Sequence, residues 1–69
     1  MSIEYDGIVE RVWLKDKYVV ELDSPGHEKI VARVDFVTKR NGLKVKKWDK
    51  VRVQLSLSDH TKGRIIKVY

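Results

Sequence analysis

The chain has 69 residues, no cysteine and a formal net charge of +5. A chain of this length has room for one domain that buries only about 60% of the surface it exposes when unfolded, which argues against a deep catalytic cleft. Without cysteine neither a disulfide nor a thiolate zinc site can supplement the core; the apolar runs fall far short of the ~20 residues of a membrane helix.

Period-two alternation dominates, the pattern of strands with one face in a core. Gly7 to Leu14 is the first predicted strand, and Lys15-Asp16-Lys17 turns it into the second, Tyr18 to Leu22, with Tyr18, Val20 and Leu22 on one face. Asp23-Ser24-Pro25-Gly26 has turn chemistry and leads into Lys29 to Val34, with Ile30, Ala32 and Val34 facing together. Asp35 then caps a short helical turn through Thr38 and Lys39, which Asn41-Gly42 ends. The clearest alternation follows in Val51 to Leu57, where every odd residue is aliphatic and every even one polar. Ser58 to Gly63 forms the next connection, and Arg64 to Val68 is the last strand. The order predicts an all-β fold: a five-stranded Greek-key OB-fold barrel with a short helical turn between strands 3 and 4, residues 1–69 forming a single domain. An SH3-like barrel has the same strand count and is the structural alternative.

Charge is distributed unevenly along this pattern. Residues 1–32 carry seven acids and four bases, whereas residues 33–69 carry eleven bases and three acids, or −3 against +8. Segregated positive charge attracts polyanions, so nucleic acid is the first partner to consider. Lys39, Arg40 and Asn41 close the helical turn, and Lys44, Lys46 and Lys47 follow at once; sequence proximity makes them one candidate patch. Arg33 and Arg52 stand at polar strand positions that extend the patch onto the barrel wall. The plain alternative for each cation is an ordinary solvated surface charge.

The six aromatics are scattered: Tyr5, Trp13, Tyr18, Phe36, Trp48 and Tyr69. Tyr18 is in phase with Val20 and Leu22 and belongs to the core, while Trp13 and Trp48 are ambiguous because small barrels often close their ends with tryptophan. Phe36 follows the presumed cap, beside the basic turn. The scarcity of aromatic platforms on the strand surface favours recognition of phosphate and folded-RNA shape over stacking along an extended strand. His27 and His60 lie in loops without the partners that metal binding or nucleophilic catalysis needs. Ser56 and Ser58 have no activating neighbour in sequence. The reading is therefore a non-enzyme with no metal and no cofactor.

Several stretches resemble a known family, bacterial translation initiation factor one. Asp49-Lys50-Val51, Val53, Leu55, and Asp59 followed by Lys62-Gly63-Arg64-Ile65 are similar to its C-terminal half. The similarity runs back through Asn41 to Ala32; Gly7-Ile8-Val9-Glu10 and Tyr18-Val19-Val20-Glu21-Leu22 resemble its first two strands. Ser58 stands where the family usually has an aromatic, Phe36-Val37 where its basic turn commonly begins Gly-Lys, and Gly42 where an aromatic is common.

The resemblance implies an OB barrel that binds the small ribosomal subunit at the decoding (aminoacyl-tRNA) site. Its partners there are ribosomal RNA, a decoding-site ribosomal protein and the other initiation factors. The family's RNA-facing residues carry over to Lys39, Arg40, Asn41 and Lys44, and to Lys62 and Arg64. With the sequence-based candidates, the expected RNA-binding set is Arg33, Lys39, Arg40, Asn41, Lys44, Lys46, Lys47, Lys62 and Arg64. The expected form is a cytoplasmic monomer with no membrane partner; Met1 to Gly7 lacks the basic start and apolar middle of a secretory signal. Two alternatives remain open: a general single-stranded nucleic-acid binder of cold-shock character, and a small barrel that serves as a protein-interaction module.

Overall fold

The computed structural model describes residues 3–14, 16–34 and 44–69. Five strands run in the order β1 (Ile3–Trp13), β2 (Lys17–Leu22), β3 (Lys29–Val34), β4 (Lys50–Leu55) and β5 (Lys62–Val68). They close as β1-β2-β3-β5-β4, with β4 returning to β1. Every neighbouring pair is antiparallel except β3 with β5, which is parallel. This is the expected Greek-key barrel of the OB type. The helical turn predicted from Asp35 to Asn41 lies outside the described residues.

Alternation fills the barrel. Val9, Val20, Leu22, Ile30, Ala32, Val51, Val53, Leu55 and Ile65 are buried, and Tyr18 and Val34 pack partly against them. Full burial of such an aliphatic side chain is worth ~1.5–3 kcal/mol, so the interior alone fixes strand register: a one-residue slip would turn each set outward. Three strand limits differ from the sequence pattern by two residues or more, among them the start of β5 at Lys62, inside the predicted connection. β1 starts at Ile3, because Ile3 and Tyr5 pair with Leu55 and Val53 and lean on the core. β4 stops at Leu55, and Leu57, in phase with it, is 66% exposed. The ladder with β5 ends at the Leu55–Gly63 pair, so no neighbouring strand holds Leu57 against the core.

A bulge in β1 has wider effects. The register with β2 shifts between Val9 and Arg11, leaving Glu10 as the extra residue. Val9 faces inward opposite Val20; past the bulge Arg11 and Trp13 lie opposite Val19 and Lys17, on the outer surface. Without the extra residue, Arg11 and Trp13 would continue the inward phase of Val9.

β5 crosses the core at Gly63. A Cβ there would stand 2.7 Å from Val53 Cγ1, 3.0 Å from Ile30 Cδ1 and 3.1 Å from the Gln54 carbonyl oxygen. The Ser56 to Thr61 connection delivers β5 to this crossing. Asp59 accepts hydrogen bonds from the Thr61 amide (3.0 Å) and hydroxyl (2.6 Å), and its carbonyl accepts from the Lys62 amide (3.2 Å). The Thr61 donors hold the Asp59 carboxyl below the usual carboxylate range.

On the opposite wall, Arg52 donates to Glu4 (2.8 Å) and Asp6 (3.2 Å), and the Tyr69 hydroxyl donates to the same Asp6 oxygen (2.7 Å). Tyr69, then Arg52, lowers the Asp6 carboxyl from its ordinary 3.8, against the opposing effect of desolvation. Glu4 above all raises the Arg52 guanidinium further.

Two outcomes follow from this packing. Gly63→Ala should lose ~1–3 kcal/mol in urea unfolding from overpacking. Gly26→Ala, whose Cβ would meet nothing closer than 3.5 Å, should stay within about 0.5 kcal/mol of the parent. The second concerns pH. A carboxyl depressed on folding adds stability above its unfolded value, and that stability is lost as pH falls through the lower folded value. Asp6→Asn should therefore lower the urea midpoint at neutral pH, and the gap to the parent should narrow below pH 3.8. A gap that widened in acid would contradict the network.

Candidate nucleic-acid interface

Parallel pairing of β3 with β5 assembles a row of cations across the outer surface. Trp13 lies opposite Lys17, Lys17 opposite Arg33, Arg33 beside Arg64, and Arg64 opposite Gln54. Adjacent strands are ~4.8 Å apart, so these neighbours form one belt. Arg33 and Arg64 are exposed, and Lys62, also exposed, sits two residues before Arg64, beside Val31. Like charges placed side by side on a sheet oppose folding. An anionic ligand relieves that repulsion.

The belt is not flat. Arg33, Lys62 and Gly63 line two adjoining depressions. One, about 650 Å³, extends towards Trp13, Lys17 and Val31; the other, about 570 Å³, extends towards Gln54 and Ser56. Both open onto the β2-β3 face and the β4-β5 connection, the surfaces that OB barrels generally offer to oligonucleotides. The connection is fixed on both sides: the Val31 amide donates to the Thr61 carbonyl (3.0 Å) and the Ser56 amide to that of Lys62 (3.0 Å). Arg33 and Lys62 thus project from backbone that is hydrogen-bonded on each flank.

The expected binding residues separate in space. Arg33, Lys62 and Arg64 come together. Lys44, Lys46 and Lys47 are exposed but lie before β4, where the Trp48 amide donates to the Val9 carbonyl (2.7 Å) and the Val9 amide to that of Asp49 (2.9 Å). Lys46 and Lys47 thus belong to the Lys50 end of β4, whereas Arg64 pairs at Gln54, about 14 Å further along at ~3.4 Å per residue. Lys39, Arg40 and Asn41 lie outside the described residues, as does Phe36. Arg52 does not extend the patch, because Glu4 and Asp6 neutralise it.

Sequence reasoning missed three contributors. Lys17 and Lys29 come from the acidic half; the sequence puts Lys17 in the first turn and marks Lys29 only as a polar strand position. Lys29 is held by Glu10 at 3.2 Å. Trp13, 44% exposed with Lys17 Nζ 5.8 Å from its ring centroid, closes no barrel end. Trp48, 65% exposed with Lys47 Nζ 4.9 Å from its ring, closes none either. For Trp13 the hidden signal was the bulge at Glu10, which reverses the phase of everything after it. Among the described residues His27 and His60 are exposed, no cluster of acids and histidines could hold a metal, and no helix is long and apolar enough to cross a membrane.

Comparison with known proteins narrows what this barrel is. No family model matches the chain. Translation initiation factor IF-1 of Rhodopseudomonas palustris is 39% identical over 64 residues, covering 93% of this chain and 67% of that protein. That of Nitrobacter hamburgensis is 38% identical over the same span. The solution structure of the same initiation factor from the Wolbachia endosymbiont of Brugia malayi superposes with a TM-score of 0.77 at 28% identity, covering 96% of this chain and 76% of that one. YjeQ from Thermotoga maritima has the same barrel, with a TM-score of 0.76 at 21% identity over 23% of its length, a likeness of fold alone. Near-complete coverage at this identity, on a barrel of the same topology, makes the chain a member of the translation initiation factor IF-1 family.

Proposed function

We propose that residues 1–69 act as one OB-fold RNA-binding domain, a monomer that docks on the small ribosomal subunit at the decoding site and excludes aminoacyl-tRNA by occupancy. Ribosomal RNA is the main contact, with a decoding-site ribosomal protein and the other initiation factors as neighbours, in the cytoplasm. The observation that carries the reading is the belt of Lys17, Arg33, Lys62 and Arg64 in a member of this family. Closely spaced cations on a convex barrel bind phosphate in proportion to their number and release counterions as they do so. No step of bond chemistry is required, and family membership points to a factor that works by binding.

Lys39, Arg40, Asn41, Lys44, Lys46 and Lys47 are proposed as a second set of contacts. Two basic surfaces suit a ligand that is itself folded, since a rigid RNA can meet a barrel in more than one place.

Co-sedimentation with isolated small ribosomal subunits at two salt concentrations checks the proposal. Binding should fall steeply with salt. In the double variant Arg33→Gln with Lys62→Gln, the slope of log affinity against log salt should drop by about 1.4–1.8, at 0.7–0.9 per phosphate contact. The thermal midpoint should change little, because both side chains are exposed. Absence of salt-sensitive association with the subunit would overturn the reading.

A further inference from the structure

We infer that Ser56 is a phosphoacceptor whose phosphate seats in the depression beside Arg33, Lys62 and Arg64, where it occupies the cations that dock RNA and so switches docking off. The inference rests on the RNA-docking reading above and adds regulation to that same surface. Its starting point is the set of side chains around this hydroxyl. Ser56 lines the depression of about 570 Å³, whose charged lining residues, among those described, are three cations and no acid. Asp59, the acid of the adjoining connection, is engaged by the Thr61 amide (3.0 Å) and hydroxyl (2.6 Å).

Strand geometry sets the hydroxyl among the cations. The Ser56 amide donates to the Lys62 carbonyl (3.0 Å), one hydrogen bond past the Leu55–Gly63 pair, so Ser56 stands opposite Lys62. Alternation puts Ser56 on the same outer face as Gln54, and Gln54 is opposite Arg64. Directly opposed side chains on a sheet have Cβ atoms ~5 Å apart and diagonal ones ~7–8 Å, distances that a phosphoserine and a long cationic side chain span together. Arg33 lies beside Arg64 on the next strand. The Ser58 hydroxyl, 3.1 Å from that of Ser56, supplies a further donor. Because the Ser56 backbone is tied to Lys62, a phosphate there is delivered to the depression.

The hydroxyl is also reachable, since Leu57 (66% exposed) and Ser58 follow it on an exposed connection. In the transfer, Ser56 Oγ forms a bond to the γ-phosphorus of a nucleoside triphosphate held by a protein kinase. The bond from that phosphorus to the bridging oxygen breaks, nucleoside diphosphate leaves, and the hydroxyl proton passes to the base of the kinase. The product carries a charge of about −1.5 to −2 at neutral pH and three acceptor oxygens, enough to cancel half or more of the charge on Arg33, Lys62 and Arg64. Cations that repel one another on the free barrel then have an internal counterion, and RNA phosphate must displace it to bind.

Phosphoserine installed at position 56 through a reassigned stop codon gives the modified protein directly. Followed by phosphorus NMR, its second ionisation, ordinarily at about pH 6, should lie about one unit lower in the folded protein than in the same protein in urea. Arg33→Gln with Lys62→Gln should remove most of that difference. In subunit co-sedimentation the modified protein should bind at least about tenfold more weakly than the unmodified chain, with the salt slope lowered by about 1.4–1.8, as for two lost phosphate contacts. Peptide mapping of the protein taken from its own cells should find phosphate at Ser56, within the segment Val53–Lys62. An ionisation unchanged by folding removes the seat, and subunit binding within twofold of the unmodified chain removes the switch. A segment unphosphorylated in growing and starved cells alike removes the acceptor. Any one of these three overturns the inference and leaves the docking proposal intact. If the unmodified chain itself does not co-sediment, docking falls and the switch with it, while the NMR titration still decides whether the depression holds the phosphate.

Discussion

Closure of the barrel depends on β5 running parallel to β3, and that pairing is possible only where the chain can pass close over the core. Gly63 makes the passage, since any Cβ would meet Val53, Ile30 and the Gln54 carbonyl. Asp59 sets the register of arrival, because its bonds to Thr61 and Lys62 shape the turn from which the Val31 amide takes its partner. The surface chemistry is a consequence of the same step. Parallel register puts Arg64 beside Arg33 and Lys62 beside Val31. The run Asp59, Lys62, Gly63, Arg64 thus divides its work: the aspartate and glycine fix the crossing, and the two cations are carried by it to the outer face.

Charge separates differently in space than along the chain. The acidic first half supplies Glu4 and Asp6, which neutralise Arg52 of the basic half and, with Tyr69, tie β1, β4 and the end of β5 together. It also supplies Lys17 to the basic surface, and Lys29 beside it is paired with Glu10. One wall is therefore a satisfied ion network, and the wall around β3 is a row of adjacent cations. Exposed ion pairs contribute little individually. The network matters more for what it withdraws: it takes Arg52 out of the exposed positive charge, while Lys50 and Lys67, against the Tyr69 ring, stay on its own wall.

The strands were legible because their physics is local. Alternation in Val51 to Leu55, Lys29 to Val34 and Tyr18 to Leu22 encodes both the element and its buried face, and seven of the nine core residues lie in these three strands. Leu57 misled because alternation continues past the point where a partner strand exists. Trp13 could not be placed, since nothing in Val9-Glu10-Arg11 announces an extra residue; the bulge is selected by closure of the barrel. The basic patch was half legible. Lys44, Lys46 and Lys47 are neighbours in sequence but sit at the other end of β4 from Arg64, whereas Lys17 and Arg33, sixteen residues apart, are directly paired. Long-range pairing decides which charges meet, and composition does not contain it.

Adjacent cations and an outward tryptophan are both unfavourable to the free barrel, and they occupy the same surface. Such a cost persists when the surrounding structure overdetermines it, and here the core and the Gly63 crossing do so. A ligand that neutralises the cations and covers the ring binds only the folded state, so it stabilises the barrel in proportion to its own affinity. A polyanion without unpaired bases relieves the repulsion but leaves the indole in water. A neutral aromatic ligand does the reverse. Only a ligand that offers anionic groups beside an apolar or aromatic surface relieves the two together, because the adjacent cations and the indole share one face of β1, β3 and β5.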